Sequence, residues 1–549
     1  MNKDNKDNKD NKDNKETIPW WQSAVFYQIY PKSFQDSNHD GIGDINGIVS
    51  RLPYLHQLGI DAIWLSPVYS SPNVDNGYDI DNYYAILNEF GTMADVEQLI
   101  IKAKSFGIRI IMDLVVNHTS DQHSWFLEAE KGNKKYQDYY IWQKEPPNTL
   151  QSFFGGTAWT FNEKQNRYYL HLFSKHQPDL NWENPNMRKE IWEMMRFWID
   201  KGIGGFRLDV IDLIGKQPEK EVLGNGPNLH TYLQEMYHEV LKETDLVTIG
   251  EAGSVTPETA PLYTAPERNE LSMVFQFQHM ALDEQTGHSK WALKKLSVPE
   301  LKKVLSKWQT ALPENAWNSL FWSNHDQPRI LSRWGDLNYP LESGKMLAIL
   351  LHLMRGTPFI YQGEEIGMTN FPIHSAKQIQ DIESLNFYHS QQEAGIAKEK
   401  IFEAINTKGR DNARTPMQWD DSLFGGFSTV SPWYPINPNH EQINVEANLN
   451  HPNSLFFTYQ KLIALRKKYP IIIWGNYELL DTPPTIFAYK RNYEHETWLV
   501  CANFSDQKTF YSFSEKPEMT IISNYDATYS TLDQLNLRPY ETFVVKLTP

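Results

Sequence analysis

The sequence predicts an α/β protein, a (β/α)8 TIM barrel with one inserted subdomain after its third strand and an all-β domain at its C-terminus. Three observations lead there. Eight short β-rich runs alternate with amphipathic helical stretches, and parallel neighbours need such crossovers. After the third run the chain makes an irregular excursion too long for a simple strand-to-helix loop. Beyond the last helical pattern only β-rich runs follow.

The chain opens with an Asn-Lys-Asp repeat from Asn2 to Asp13, which alternates charges and has nothing apolar to bury, so residues 1–16 are expected to be a disordered tail. Candidate strands are Val25 to Tyr30, Ala62 to Leu65, Arg109 to Asp113 and Gly205 to Asp209, followed by Leu246 to Gly250, Met273 to Phe277, Leu320 to Ser323 and Pro358 to Tyr361. Between them, Ile191, Met194, Met195, Trp198 and Ile199 share one helical face. Thr119 to Asn184 holds Pro146, Pro147, Gly155, Gly156 and many aromatics, which marks the insertion. A second excursion runs from Asn370 to about Asn450, and the last barrel helix starts near Asn453 or Ser454 and stops at Pro470. Pro483 and Pro484 then break the chain before β-rich runs at Ile486 to Tyr489, Trp498 to Ala502 and Thr542 to Leu547. The expected domains are a barrel over 17–118 and 185–475, an inserted subdomain over 119–184, and a C-terminal β-sandwich over 476–549.

Composition narrows the function. With 549 residues and 40% hydrophobic content the chain can bury a large core. A formal charge of −16 argues against a nucleic-acid surface, which needs clustered cations. No apolar run approaches a membrane span, and no basic-then-apolar signal pattern opens the chain. Cys501 is the only cysteine, so no intrachain disulfide forms, which fits a reducing compartment. A cytoplasmic protein with no membrane partner is expected.

Polar residues recur where the candidate strands end. The third ends in Asp113, with Asn117 and His118 just beyond; the fourth gives Arg207 and Asp209, two apart and so on one side of the strand. The fifth ends in Glu251, and the seventh in His325 and Asp326. Strand ends of a β/α barrel converge on one mouth. Any one of these carboxylates alone would suit a salt bridge or a helix cap, but four strands carrying them in one register suit acetal cleavage. That reaction needs one group to protonate the leaving oxygen and another to attack or stabilise an oxocarbenium-like centre. The 18 Trp, 28 Tyr and 27 Phe would suit sugar stacking, although most belong to the core.

The runs DLVVNH from Asp113, GFRLDV from Gly205, GE at Gly250 and SNHD from Ser323 resemble, in order, the four signature regions of glycoside hydrolase family 13, the α-amylase family. QPDLN from Gln177 resembles the mark of its oligo-1,6-glucosidase subfamily, and the likeness extends through DNGYDI from Asp75, GTPFIYQGEEIGM from Gly356 and GRDNARTPMQW from Gly409. Within the subfamily, IDKGIGGFRLDVIDLIGK followed closely by GNGPNLH is similar to the bacterial glucan 1,6-α-glucosidase branch; other branches carry a longer loop there.

The resemblance implies roles. Asp209 is the nucleophile, Glu251 the acid/base, and Asp326 the group that holds ring hydroxyls and helps distort the substrate. Arg207 keeps Asp209 ionised, as a nearby cation lowers a carboxylate's pKa. Asp75, Tyr78, His118, His325 and Arg414 grip the terminal glucose, and Phe154, Phe173 and Gln177 form a wall from the insertion. A sealed pocket of this kind takes only a chain end. The implied activity is retaining, exo-acting hydrolysis of α-1,6 bonds in isomaltooligosaccharides or dextran fragments, by a monomer needing no catalytic cofactor. Val210 resembles the residue of members that cut α-1,6 bonds, though it reads equally as an ordinary strand valine; Lys290 resembles a lysine that touches the next glucose. After Glu251 the chain reads Ala-Gly-Ser, where members of that branch carry an aromatic.

DSNHDGIGD, from Asp36 to Asp44, resembles the first part of an EF-hand loop, with oxygens from Asp36, Asn38, Asp40, the Ile42 carbonyl and Asp44 and a turn at Gly41. Gly47 stands where the bidentate Glu would be, which leaves a solvated Asx-turn as the alternative. The family resemblance implies a structural Ca²⁺ or Mg²⁺ there. Three other activities fit parts of the pattern. A trehalose-6-phosphate hydrolase would need an extra cationic pocket. A transglycosylase or sucrose isomerase would share the nucleophile. A non-catalytic binding protein would lack the carboxylates present here.

Overall fold

The computed structural model describes residues 18–548; the repeat assigned to the tail lies outside them. Eight strands form one parallel sheet: β1 Phe26–Ile29, β2 Ala62–Leu65, β3 Arg109–Leu114, β4 Gly205–Leu208, β5 Val247–Glu251, β6 Met273–Phe275, β7 Ser319–Leu320 and β8 Thr357–Tyr361. Neighbours pair in chain order from β1 to β6, while β8 lies between β1 and β7. A lone parallel bridge, Val274 to Asn318, joins β6 to β7 and closes the barrel. β1, β2 and β4 are buried along their whole length, which is why they read as apolar runs rather than alternating ones. Gly205 opens β4 at a site where any Cβ would stand 2.1 Å from the Val247 carbonyl oxygen.

The helices pack outside. Asp44 caps α1 (Ile45–Leu58), and a Thr92–Asp95 capping box starts α2 (Met93–Ser105). In α3 (Pro185–Asp200) the expected face is buried at Ile191, Met194, Met195 and Trp198, with Ile199 half-buried. α4 (Leu229–Met236), α5 (Val298–Thr310) and α6 (Pro340–His352) continue the ring. The second excursion carries α7 (Ile382–Glu393) and α8 (Lys398–Lys408), and the last barrel helix is α9 (Leu455–Lys468), capped by Ser454. The seventh strand was expected at Leu320 to Ser323 but stops at Leu320. Beyond it Trp322 turns its indole N–H onto the Leu347 carbonyl of α6, and the backbone leaves the ladder.

Between β3 and α3 a three-stranded antiparallel sheet forms from Trp142–Gln143, Arg167–Leu170 and Trp159–Asn162. The two ends of this excursion are stitched where it leaves the barrel: Leu180 N–H donates to Asn117 O and Thr119 N–H to Pro178 O. At the C-terminus, Asn476–Leu479, Ile486–Tyr493, Glu496–Asn503, Thr542–Leu547 and Pro517–Ser523 form a five-stranded antiparallel sheet beside a two-stranded one. Cys501 is buried there among Ile486, Leu499, Phe543 and Val545. Among the described residues no helix is long and apolar enough to cross a membrane.

Candidate active site

Arg207 is the hub of the barrel mouth. Fully buried on β4, it donates through Nη1 to Asp113 Oδ1 at 2.8 Å and Asp209 Oδ1 at 2.6 Å, and through Nη2 to Glu251 Oε2 at 2.5 Å. Asp113 is fixed from its other side by the Trp64 indole N–H and the Tyr78 hydroxyl, each at 3.0 Å. Four strand ends, β2 to β5, thus meet around one guanidinium.

One cation faces three carboxylates, so burial and like charges both act against it. Burial pushes Asp209 well above its ordinary value; Arg207 pulls it down, but the charges of Glu251 and Asp113 add to the rise. Burial likewise raises Asp113 to about 6 against the same guanidinium. Arg207 therefore lowers the pKa of Asp209, while burial and the two neighbouring carboxylates act against it.

Val210 is not a strand valine. The strand ends at Leu208, and Val210 takes a left-handed conformation, φ 37° and ψ 42°, at the head of a short 3₁₀ turn. A β-branched residue is strained there. Its backbone N–H reaches Glu251 Oε2 at 3.1 Å.

The far side of the pocket is a second charge network. Arg414 donates to Asp326 Oδ1 at 2.7 Å and to the His325 carbonyl at 3.0 Å. Arg410 reaches Asp326 at 3.3 Å, Asp75 at 3.0 Å and Asp381 at 2.8 Å. Burial raises Asp75 to about 6 despite both arginines. Burial also raises Asp326, but His325, Arg410 and Arg414 outweigh it and hold the carboxyl below the usual range. Since burial pushes His325 itself down to about 3, Arg410, Arg414 and Arg207 are the cations that act on Asp326 at neutral pH. His325 lies parallel to Tyr78 with ring centroids 5.1 Å apart, and its Nδ1 meets Gln28 Nε2 at 2.7 Å.

The insertion closes the pocket. Gln177 Nε2 donates to Asp75 Oδ2 at 3.1 Å and approaches His118 Nε2 at 3.2 Å. His118, pushed down to about 4 by burial, also meets the Tyr78 carbonyl at 3.0 Å. Phe173 packs on His118 and on Phe154, whose ring lies 4.8 Å from the Arg410 guanidinium. Lys290 stands further out, paired with Glu383, which in turn lies 3.5 Å from Arg410.

Arg410 and Asp381 are not singled out by sequence. Arg410 is the second residue of GRDNARTPMQW, and a second buried arginine in a segment rich in charge was the available signal. Asp381 sits alone before α7 and carries no local mark. Lys216 was also unforeseen: buried after β4, it pairs with Asp179 at 2.9 Å and donates to Asn117 Oδ1 at 2.6 Å, tying the insertion to the barrel beneath His118.

The Asp36–Asp44 loop follows β1 and packs on the second excursion, where Asp36 N–H donates to Phe427 O and Trp433 N–H to Gly41 O. Burial works against ionised Asp36, but the Ser428 hydroxyl and the N–H groups of Gly41, His39 and Asn38 hold it below its ordinary value. Asn38 Oδ1 accepts from Asp40 N–H, Asp40 Oδ1 from Ile42 N–H, and Asp44 from Ser37 and Gly47. The donors are all oxygen, which suits a hard divalent cation. Their carboxylates face the loop's own N–H groups, and among the described residues no three acidic, His or Cys groups gather at metal-binding range.

A model described as the α-amylase catalytic domain matches residues 28–475, the whole of the region that builds this mouth. The chain belongs to the α-amylase family, glycoside hydrolase family 13. A second model, the SusG C-terminal domain of α-amylases, matches residues 486–544. This α-amylase-family chain is 55% identical to glucan 1,6-alpha-glucosidase of Streptococcus pneumoniae, over 96% of its own length and 99% of the relative's. It is 53% identical to oligo-1,6-glucosidase of Halalkalibacterium halodurans, covering 96% and 98%. Among solved structures, trehalose-6-phosphate hydrolase of Bacillus licheniformis superposes with a TM-score of 0.92 at 45% identity, covering 97% of this chain and 100% of that one. As a family member with this mouth, the protein is a glycoside hydrolase.

Proposed function

We propose that this enzyme removes glucose from the non-reducing ends of isomaltooligosaccharides by retaining hydrolysis of α-1,6 bonds. The arrangement of Asp209 and Glu251 on neighbouring nitrogens of Arg207 carries the reading. It favours the short carboxyl spacing, roughly 5 Å, at which the second carboxylate attacks directly. Asp209 forms a bond to the anomeric carbon as the bond to the leaving oxygen breaks, and Glu251 gives that oxygen its proton. Glu251 then takes a proton from water, whose oxygen displaces Asp209 and restores the original configuration.

The Asp75–Arg410–Asp326 network and the Gln177–His118 contact wall off the far end, which favours a single terminal sugar. The two relatives above at 53% and 55% identity are named for α-1,6 activity, which supports the linkage. Against trehalose 6-phosphate, the four mouth cations Arg207, Arg410, Arg414 and Lys290 are each already engaged with carboxylates rather than open to a phosphate. A lone, buried thiol at Cys501 fits a cytoplasmic enzyme, which acts as a monomer. A structural Ca²⁺ or Mg²⁺ would draw on Asp36, Asn38, Asp40, the Ile42 carbonyl and Asp44, after their carboxylates turn outward from the loop backbone.

The test is initial glucose release from equimolar isomaltotriose, maltotriose and trehalose 6-phosphate, with Asp209→Ala alongside. Fast release from isomaltotriose, lost in the variant, is expected. Preference for trehalose 6-phosphate would overturn the substrate and leave the catalytic assignment standing.

A further inference from the structure

The chain that follows Glu251 has little packing to hold it. It reads Ala-Gly-Ser, and no atom lies within 4 Å of where a Cβ would stand at Gly253. Ala252 is pinned to β6 by its N–H on the Phe275 carbonyl at 3.2 Å. Ser254 is fixed differently, by a side chain from the connection that leaves β4. Asp212 Oδ2 accepts the Ser254 backbone N–H at 2.9 Å and the Ser254 hydroxyl as well.

Asp212 lies three residues after Asp209, in the 3₁₀ turn Ile211–Leu213 headed by Val210. It is buried, and hydrogen-bond donors rather than a cation hold its carboxyl. Burial raises its pKa, the two Ser254 bonds oppose that, and the charge of Glu251 adds to the rise. A third segment closes the arrangement. Asn225, at a left-handed φ of 54°, donates its backbone N–H to the Asp212 carbonyl at 3.1 Å and its side-chain N–H to Ser254 Oγ at 2.9 Å. The hydroxyl of buried Tyr263 donates to Asn225 Oδ1. Gly224 makes room for the contact, since a Cβ there would stand 2.4 Å from Ser254 Oγ.

Glu251 is thereby held from two directions. Its carboxylate rests on Arg207 Nη2 and the Val210 N–H, and its main chain, three residues on, is fastened to the turn that Val210 heads. We propose that Asp212 is a positioning residue for proton transfer: through Ser254 it locks the end of β5 to the turn after the nucleophile, and so keeps Glu251 aligned with the leaving oxygen. The inference rests on the acid/base reading of Glu251 above and adds the device that holds it.

The experiment measures kcat/KM on isomaltose and on 2,4-dinitrophenyl α-glucoside in the full-length parent, Ser254→Ala, Asp212→Ala and Asp212→Asn, with Glu251→Gln alongside. Dinitrophenolate leaves without a proton, so only isomaltose needs an aligned acid. On isomaltose a fall of about tenfold is expected in Ser254→Ala and about 10²-fold in Asp212→Ala, against less than about threefold on the aryl glucoside. Asp212→Asn keeps an oxygen for both Ser254 donors and is expected to recover most of the loss. Equal losses on the two substrates in Ser254→Ala, or none on either, would overturn the proposal. Ser254 is exposed, so removing its hydroxyl decides the matter even where Asp212→Ala folds poorly. Equal losses in Glu251→Gln would instead remove the acid/base reading itself, so the two failures are told apart.

Discussion

The backbone N–H of Val210 donates to Glu251 Oε2 at 3.1 Å, and Val210 makes that bond from a left-handed backbone conformation that a β-branched residue rarely adopts. The residue after the nucleophile thereby sets the orientation of the acid/base. Strain of order 1–3 kcal/mol is kept at such a residue only where surrounding packing fixes it. Here Val210 packs against the buried cluster of Ala158, Trp159, Leu170, Leu172 and Leu213. Replacing Val210 by Gly removes the strain and the packing together. The expected result is a melting temperature within about 3 °C of the parent, because the two effects oppose. kcat falls, because Glu251 loses a rigid donor. A large stabilisation with unchanged kcat would refute the link.

The two carboxylates should separate by leaving group. Asp209→Ala is expected to lose on the order of 10³-fold or more in kcat for every substrate. Glu251→Gln should lose far less on an aryl glucoside with an acidic phenol than on isomaltose, because a good leaving group needs no proton. Steady-state rates on the two substrates check this.

Arg410→Ala leaves Asp75, Asp326 and Asp381 short of a shared cation. Removing one partner of a buried ionic network costs about 3–5 kcal/mol. The variant should melt several degrees lower and release glucose at least 10²-fold more slowly, and Lys should rescue little because it lacks the planar fork. Calorimetry and glucose assays read both.

Glu364 gives a pH-dependent outcome. It is buried behind β8, accepts from the Tyr459 hydroxyl at 2.7 Å, and is pushed by burial up to about 8 from 4.5. A raised pKa means the native state keeps a proton the unfolded chain has released. Its contribution is full below about 4.5 and is lost as pH rises to about 8. Glu364→Gln never ionises, so its melting temperature should gain on the parent steadily from pH 5 to pH 8, at about 1.4 kcal/mol per unit at most. Parallel curves across that range would contradict the assignment.

For the Asp36–Asp44 loop, a chelator is expected to lower the melting temperature of the parent and to leave Asp36→Ala unchanged, with Ca²⁺ restoring only the parent. An equal response of the two proteins would remove the cation from this loop.

Much of this site is legible in the sequence because barrel strands fix where a side chain goes. Arg207 and Asp209 must share a side of one strand, and Asp113 and Glu251 must end the strands beside it. What escaped depends on backbone leaving the ladder or on distant partners. Val210 sits one residue past a strand end, where alternation stops applying, so its left-handed turn has no local signal. Asp381 acquires its role from Arg410, nearly thirty positions away, through a fold that no local pattern encodes.

The lone bridge between Val274 and Asn318 makes the seam from β6 to β7 the thinnest joint of the barrel. Amide protons there should exchange with solvent sooner than those of β1 to β5, whose neighbours are held by full ladders. Trp291 lies on the connection that leaves β6 and lines the groove between the insertion and α7, so each opening of that seam would also loosen one wall of that groove. The barrel and its surface groove would then breathe on the same clock.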